Sequence, residues 1–142
     1  MNPAIQTTPE QWQLMINLNL SSAFLMAHAV LPVMLQNGTG KLIFVSSRSA
    51  SQPAANMAAY AASKSGLDTM VQVLAEETRK QGINVNAVAP SLINTPTNRE
   101  SMPNANHDDW VQPQSIAAVI QFLASEAARD VHGAVIPIIG RT

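Results

Sequence analysis

Cysteine is absent from all 142 residues, which excludes disulfides, thiolate metal centres and cysteine nucleophiles. Charge is scarce: Asp, Glu, Lys and Arg make up 12% of the chain, and 8 basic against 9 acidic residues leave a net charge of −1. A nucleic-acid binder or a polybasic membrane-surface protein needs a cationic face that this balance does not supply. The polar excess of a disordered tail is missing as well, since 46% of the residues are hydrophobic. The six glycines (Gly38, Gly40, Gly66, Gly82, Gly133 and Gly140) fit neither a GxGxxG nor a P-loop spacing, so these residues encode no glycine-rich phosphate cradle. Long apolar runs are lacking: the most apolar stretch, 23–35, contains His28 and Pro32 and is too short to span a bilayer, so a buried helix is expected there and no membrane partner. Residues 1–9 have no basic and no apolar segment of a secretory signal, and a cysteine-free chain without one suits the cytoplasm.

What is present is an alternation of helix and strand signals. Thr8, Pro9 and Gln11 supply an N-cap, a first-turn proline and a capping-box partner for a helix running to about Gln36, which Asn37-Gly38-Thr39-Gly40 stops. Residues 41–46 (KLIFVS) are a short apolar run of strand type, and a polar loop follows over 47–53. A second helix spans roughly 56–80 and ends at Gly82, a natural C-cap. Residues 83–89 alternate like a strand closed by Pro90, and 91–112 read as irregular. A third helix over 113–129 and a last strand over 134–139 complete the chain. No repeat or linker divides it, so residues 1–142 are expected to form one domain. The pattern predicts an α/β fold: a parallel sheet of about three strands with flanking helices. That is a partial version of the doubly wound sheet, which in its dinucleotide-binding form has about six strands.

The second helix carries the most informative spacing. Tyr60 and Lys64 stand at i and i+4, on one helical face. An ammonium close to a phenol favours the phenolate, and a phenol tuned that way can exchange a proton with a substrate oxygen. The same spacing also describes an ordinary surface pair, and it is common by chance. Two features favour the chemical reading. Small residues (Ala58, Ala59, Ala61, Ala62, Ser63, Ser65, Gly66) surround the pair and permit close approach. Ser47 also stands at the carboxyl end of the first strand, where open parallel sheets bind ligands. Ser46 and Ser49 have equal chemistry, and spacing does not choose among the three. His28 reads as a packed or partner-facing residue, and His132 has no partner at ligand spacing. His107-Asp108-Asp109 reads as solvated charge, so no metal site is expected.

Five blocks, in order, carry a resemblance: WQLMINLNLSSAF, GKLIFVSSRSA, YAASKSGL, INVNAVAPSLINTP and IAAVIQFLASEAARDVHGAVIPIIG. Together they make the chain similar to the C-terminal part of the short-chain dehydrogenase/reductases. The resemblance implies a Rossmann-like fold and hydride transfer between NAD(P) and a carbonyl or alcohol carbon of a small molecule. Asn19 would hold a water in a proton relay, Ser47 polarise the substrate oxygen, and Tyr60 act as general acid/base. Lys64 would lower the tyrosine pKa and, with Tyr60, bind the nicotinamide ribose. Pro90, Ile93 and Thr95 would line the nicotinamide, and Asn86 would be structural. Homo-oligomers pairing through helices 10–36 and 57–80 are implied too.

Two departures follow from the same comparison. Pro90-Ser91 stands where the family usually has Pro-Gly. The family's glycine-rich βαβ half would precede Met1, and with it the cofactor pyrophosphate seat. A truncated, non-catalytic chain, whether pseudoenzyme or inactive partner of a full-length relative, is therefore the alternative. The expectations are feeble NAD(P)H binding without turnover, an unpaired edge at strand 41–46, and self-association. The segment Asn94-Thr95-Pro96-Thr97-Asn98-Arg99, with Met102 and Trp110 beyond it, resembles dihydropteridine reductases and related bacterial reductases. Trp110 and Met102 are expected to pack a substrate loop.

Overall fold

Thr8 Oγ1 accepts from the Gln11 amide while the Gln11 side chain accepts from the Thr8 amide, so the expected capping box closes and helix α1 (Pro9–Ile16) follows. The computed structural model describes residues 2–141. The single helix expected up to Gln36 is interrupted: Asn17–Ser21 form a π-type turn before α2 (Ser22–Asn37) resumes. Polar side chains explain the interruption, because Asn19 Nδ2 donates to Met15 O (3.0 Å) and Ser22 Oγ to Leu18 O (2.8 Å), competing with the ordinary ladder. Helix continues on both sides of 23–35, and the run Pro9–Asn37, 29 residues with an 18-residue window of mean hydropathy 1.6, is long and apolar enough to cross a membrane. The expectation of a stretch too short to do so is corrected on that count, and so is the buried helix expected there: only Ala27 of α2 is buried, because the helix packs through one face and leaves Phe24, Leu25, Met26 and Val33 exposed. One face of this run, through Leu20, Ala27, Leu31 and Met34, packs into the core.

Gly38, with φ +67, caps α2 in the left-handed region and turns the chain into β1 (Gly40–Val45). Helix α3 spans Ala58–Thr78, β2 Ile83–Pro90, α4 Pro96–Ser101, α5 Pro113–Ala124 and β3 Val135–Ile138. The three strands form one parallel sheet in the order β1-β2-β3, with Val45 opposite Val88 and Val88 opposite Ile136. The expected α/β class and strand number are therefore observed. Helix α3 starts later than expected because Asn56 takes a left-handed φ of 68. It also ends earlier, and a turn over 79–82 reaches Gly82. The third helix stops at Ala124, not at Arg129: Ser125 is extended, and a 3₁₀ turn (Glu126–Ala128) follows. The stretch 91–112, read as irregular, holds α4 and a bridge between Ile93 and Val111.

Alternation along the strands sends side chains to two cores. Phe44, Val85 and Ala87 join Leu67, Val71 and Leu74 of α3 on one face. Ile43, Val88 and Ile136 join Ile116 and Leu123 of α5 on the other. Every residue of β2 is buried, whereas Val45 of β1 is 48% exposed. Ser46 N donates to Val88 O, so even-numbered residues of β1 face β2 and the amides and carbonyls of Lys41, Ile43 and Val45 face outward. Among the described residues, no strand pairs with that edge.

Candidate active site

Ser47 stands just past β1 with extended backbone and is nearly buried. Its Oγ accepts from Ser49 N at 3.2 Å, which occupies one lone pair and leaves the hydroxyl hydrogen to be donated elsewhere. Tyr60 lies in the first turn of α3, whose small residues Ala59, Ala61 and Ser63 are buried against the neighbouring elements and bring the helix close to the strand ends. One turn on, Lys64 Nζ lies 5.9 Å from the centroid of the Tyr60 ring. The expected juxtaposition of the pair is thus present.

The lysine has a second attachment. Its Nζ donates to Val45 O at 2.9 Å, and that carbonyl belongs to the outward-facing set of β1. Burial holds the Lys64 ammonium below the usual lysine range, and Asp68, a further turn along, partly restores it. The Asp68 carboxyl is itself pushed up by burial, with Ser46 and Lys64 pulling the other way. Ser46 Oγ and Asp68 Oδ1 are both buried without a hydrogen-bond partner, so the serine's effect on the carboxyl comes from proximity and not from a formed bond.

Ser47, Ser49 and Tyr60 line one cleft of about 480 Å3 at the carboxyl ends of the strands, closed on the far side by Leu92, Ile93 and Asn98. The three serines that spacing left equal are now distinct. Ser46 turns inward toward Asp68, Ser49 Oγ sits on Met57 Sδ at 3.8 Å, and Ser47 faces the cleft beside Tyr60.

The other expected residues are placed unevenly. Asn19 lies in the π-type turn with its amide on its own helix, and it does not line the cleft. Pro90 is buried at the end of β2, Ile93 lines the cleft, and Thr95 caps α4 by accepting from Asn98 N. Asn86 is buried and bridges two backbone groups, donating to Val131 O (3.0 Å) and accepting from Ala134 N (2.9 Å). Ser91, at the position of the departure from Pro-Gly, continues the sheet: its amide donates to Ile138 O and its Oγ to Ile139 O. Met57 and Arg48 also line the cleft and were missed. Their neighbours Ser47 and Tyr60 in the chain were the available signal. Trp110 is buried as expected, with the His107 ring tilted against it at 4.5 Å and His107 Nε2 2.9 Å from Met102 O, whereas Met102, expected to pack with it, is exposed. His28 is exposed and stacks on Phe24, and His132 contacts Ala75 O.

A family model described as enoyl-(acyl carrier protein) reductase matches residues 1–140. The chain belongs to the short-chain dehydrogenase/reductase family. Within it, the chain is 36% identical to 3-oxoacyl-(acyl-carrier-protein) reductase MabA of Mycobacterium tuberculosis, over 96% of this chain and 58% of that protein. It is 34% identical to 3-oxoacyl-(acyl-carrier-protein) reductase FabG of Pseudomonas aeruginosa, over 98% of this chain and 60% of that one. Among solved structures, a putative NAD(P)-dependent gluconate 5-dehydrogenase from Beutenbergia cavernae with bound NADP superposes with a TM-score of 0.90. Identity is 29%, covering 97% of this chain and 59% of that one. The chain thus spans about 60% of the length of the relatives it matches.

The site accommodates a nicotinamide cofactor at one end only. The cleft of Ser47, Tyr60 and Ile93 lies beyond the strand ends, where a dinucleotide's reactive ring is bound in such sheets. A pyrophosphate needs a glycine turn opening onto a helix N-terminus. Among the described residues, Gly38, Gly82, Gly133 and Gly140 take left-handed conformations, and none of them opens a helix.

Proposed function

We propose that this chain is the proton-transferring part of an NAD(P)-dependent oxidoreductase that interconverts a small-molecule ketone or aldehyde and its alcohol. One observation carries it: Ser47 and Tyr60 line the same cleft at the strand ends, with Lys64 one turn below Tyr60. The nicotinamide, when bound, supplies or accepts the hydride. Ser47 donates its hydroxyl hydrogen to the substrate oxygen, the direction left open by its bond from Ser49. Tyr60 passes its phenolic proton to that oxygen as alcohol forms and takes it back in oxidation. Lys64 stabilises the phenolate that remains and, with Tyr60, holds the cofactor ribose. To reach the ribose, Lys64 gives up Val45 O. Asn19 holds a relay water, and Pro90, Ile93 and Thr95 line the nicotinamide. The protein acts in the cytoplasm and self-associates through exposed apolar residues of α1, α2 and α3 such as Leu14, Leu25 and Val73.

The test is a chimera joining the part of the P. aeruginosa reductase that precedes its matched region to residues 1–142. It is expected to reduce ketones with NADPH and to lose that activity in Tyr60→Phe. A folded chimera that binds NADPH yet reduces no carbonyl contradicts the proposal. It would favour the second reading, a non-catalytic partner of a longer relative. The engagement of Lys64 with Val45 O supports that alternative.

A further inference from the structure

Tyr60, Lys64 and Asp68 stand at i, i+4 and i+8 of α3, so the three share one face of the helix. The first two belong to the proposed site, and the third does not line its cleft. Lys64 stands between the other two: its Nζ is 5.9 Å from the centroid of the Tyr60 ring, and the Asp68 charge acts on it from the next turn. Beside Asp68, just past β1, is the buried Ser46. Ser46 Oγ and Asp68 Oδ1 are, among the described residues, the two buried side-chain polar atoms without a hydrogen-bond partner. A hydroxyl and a carboxylate oxygen are complementary, one able to donate and the other to accept.

An under-partnered carboxyl in a buried position lowers stability, and an amide of the same shape would fill the same space. Packing alone therefore does not account for Asp68. The adjacent lysine does. Burial works against the positive charge of the Lys64 ammonium, and that charge is what stabilises a Tyr60 phenolate. Val45 O, which accepts from Nζ at 2.9 Å, fixes where the ammonium sits but is a neutral dipole and supplies no counter-charge.

We propose that Asp68 is a positioning residue for proton transfer: its carboxylate, held by a hydrogen bond donated from Ser46 Oγ, is the counter-charge that keeps Lys64 cationic and aligned with Tyr60 along α3. The inference rests on the proposed roles of Tyr60 and Lys64 and adds two residues that act through the lysine. Neighbouring serines then divide the work, Ser47 toward the cleft and Ser46 toward the carboxyl.

Two measurements separate this role from a structural one. In the full chain, the Lys64 side chain is followed across pH by carbon NMR at Cε, in wild type, Asp68→Asn and Asp68→Glu. The midpoint is expected to fall by about one pH unit in Asp68→Asn and to recover in Asp68→Glu. In the chimera with the P. aeruginosa reductase's preceding part, ethyl acetoacetate and NADPH are the probes. Asp68→Asn should lower kcat on the order of tenfold near neutral pH with KM for the ketone unchanged, and Asp68→Glu should restore most of it. Thermal melts accompany the kinetics, because Asp68→Asn is expected to stabilise the fold while slowing the reaction, whereas a purely structural residue moves both the same way. A kcat indifferent to Asp68→Asn overturns the assignment and leaves the proposed site standing. A wild-type chimera that binds NADPH but reduces no ketone defeats the proposed function instead, and the Lys64 midpoint then decides whether Asp68 is its counter-charge.

Discussion

The two sides of the sheet are finished to different degrees. On one side β2 is buried along its whole length, flanked by β3 and covered by α3 and α5. On the other, β1 presents the amides and carbonyls of Lys41, Ile43 and Val45 outward, and α2 leaves Phe24, Leu25, Met26 and Val33 exposed. Stability is concentrated where burial is complete on both faces, and the residues proposed to react, Ser47, Tyr60 and Lys64, sit at the boundary between the two sides. Lys64 expresses that boundary directly, since it packs in α3 while its ammonium caps a carbonyl of the open edge. A strand pairing along β1 would bring an amide to the same carbonyl and leave the lysine free for Tyr60 and the ribose.

The largest expected effect separates the two sides by truncation. Leu123→Ala, on the buried side, is expected to cost about 2–5 kcal/mol. Leu25→Ala, 61% exposed on α2, should stay within about 0.5 kcal/mol. Urea denaturation followed by circular dichroism measures both, and equal losses would erase the distinction. Asn86→Ala comes next. It strands Ala134 N without a partner, while Val131 O keeps the Asn84 amide, at a cost of about 1–3 kcal/mol in the same assay. Asn17→Ala, which removes only an exposed bond to Gln13, is the control and should change little.

Amide exchange sharpens the contrast within a single strand. The amides of Ile43 and Val45, on the open edge, should exchange much faster than those of Phe44 and Ser46, which face β2. Uniform protection along β1 would mean that the edge is covered in solution, as by a second copy of the chain.

The smallest effect concerns Asp68. Burial raises its folded-state pKa above the ordinary 3.8, so the folded chain keeps a proton that the unfolded chain has already lost. Stability therefore falls as pH climbs from the unfolded value through the raised one, and the penalty is constant above that window. Asp68→Asn should stabilise the chain at neutral pH, and the gain should vanish below the ordinary carboxyl value. Thermal melts across that range decide it, and a variant less stable at neutral pH would show that the pull of Lys64 outweighs burial.

Much of this was legible in the residues. The capping box at Thr8, the strand runs 41–46 and 83–89 and the Tyr60–Lys64 spacing depend on local patterning, and each appears in the structure. What escaped depends on competition and on distance in the chain. Asn19 and Ser22 divert helix carbonyls and open the π-type turn, an outcome that apolar periodicity does not register. Asn56 starts α3 late through its backbone angle. The choice of Ser47 over Ser46 needed the placement of Asp68, twenty-odd residues away, and the attachment of Lys64 to Val45 needed the sheet order. The hollow that Leu14 and Met15 of α1 share with Ala58 and Tyr60 of α3 joins distant residues, and no local pattern connects them.

The central claim is that the proton-transfer residues are assembled here while these residues offer no seat for the cofactor's pyrophosphate. Titrating NADPH into the purified 142-residue chain and following nicotinamide fluorescence tests it most directly. The account predicts no saturable enhancement for the chain alone and a saturable one for the chimera with the reductase's preceding part. Tight, saturable binding by the 142-residue chain alone would contradict it.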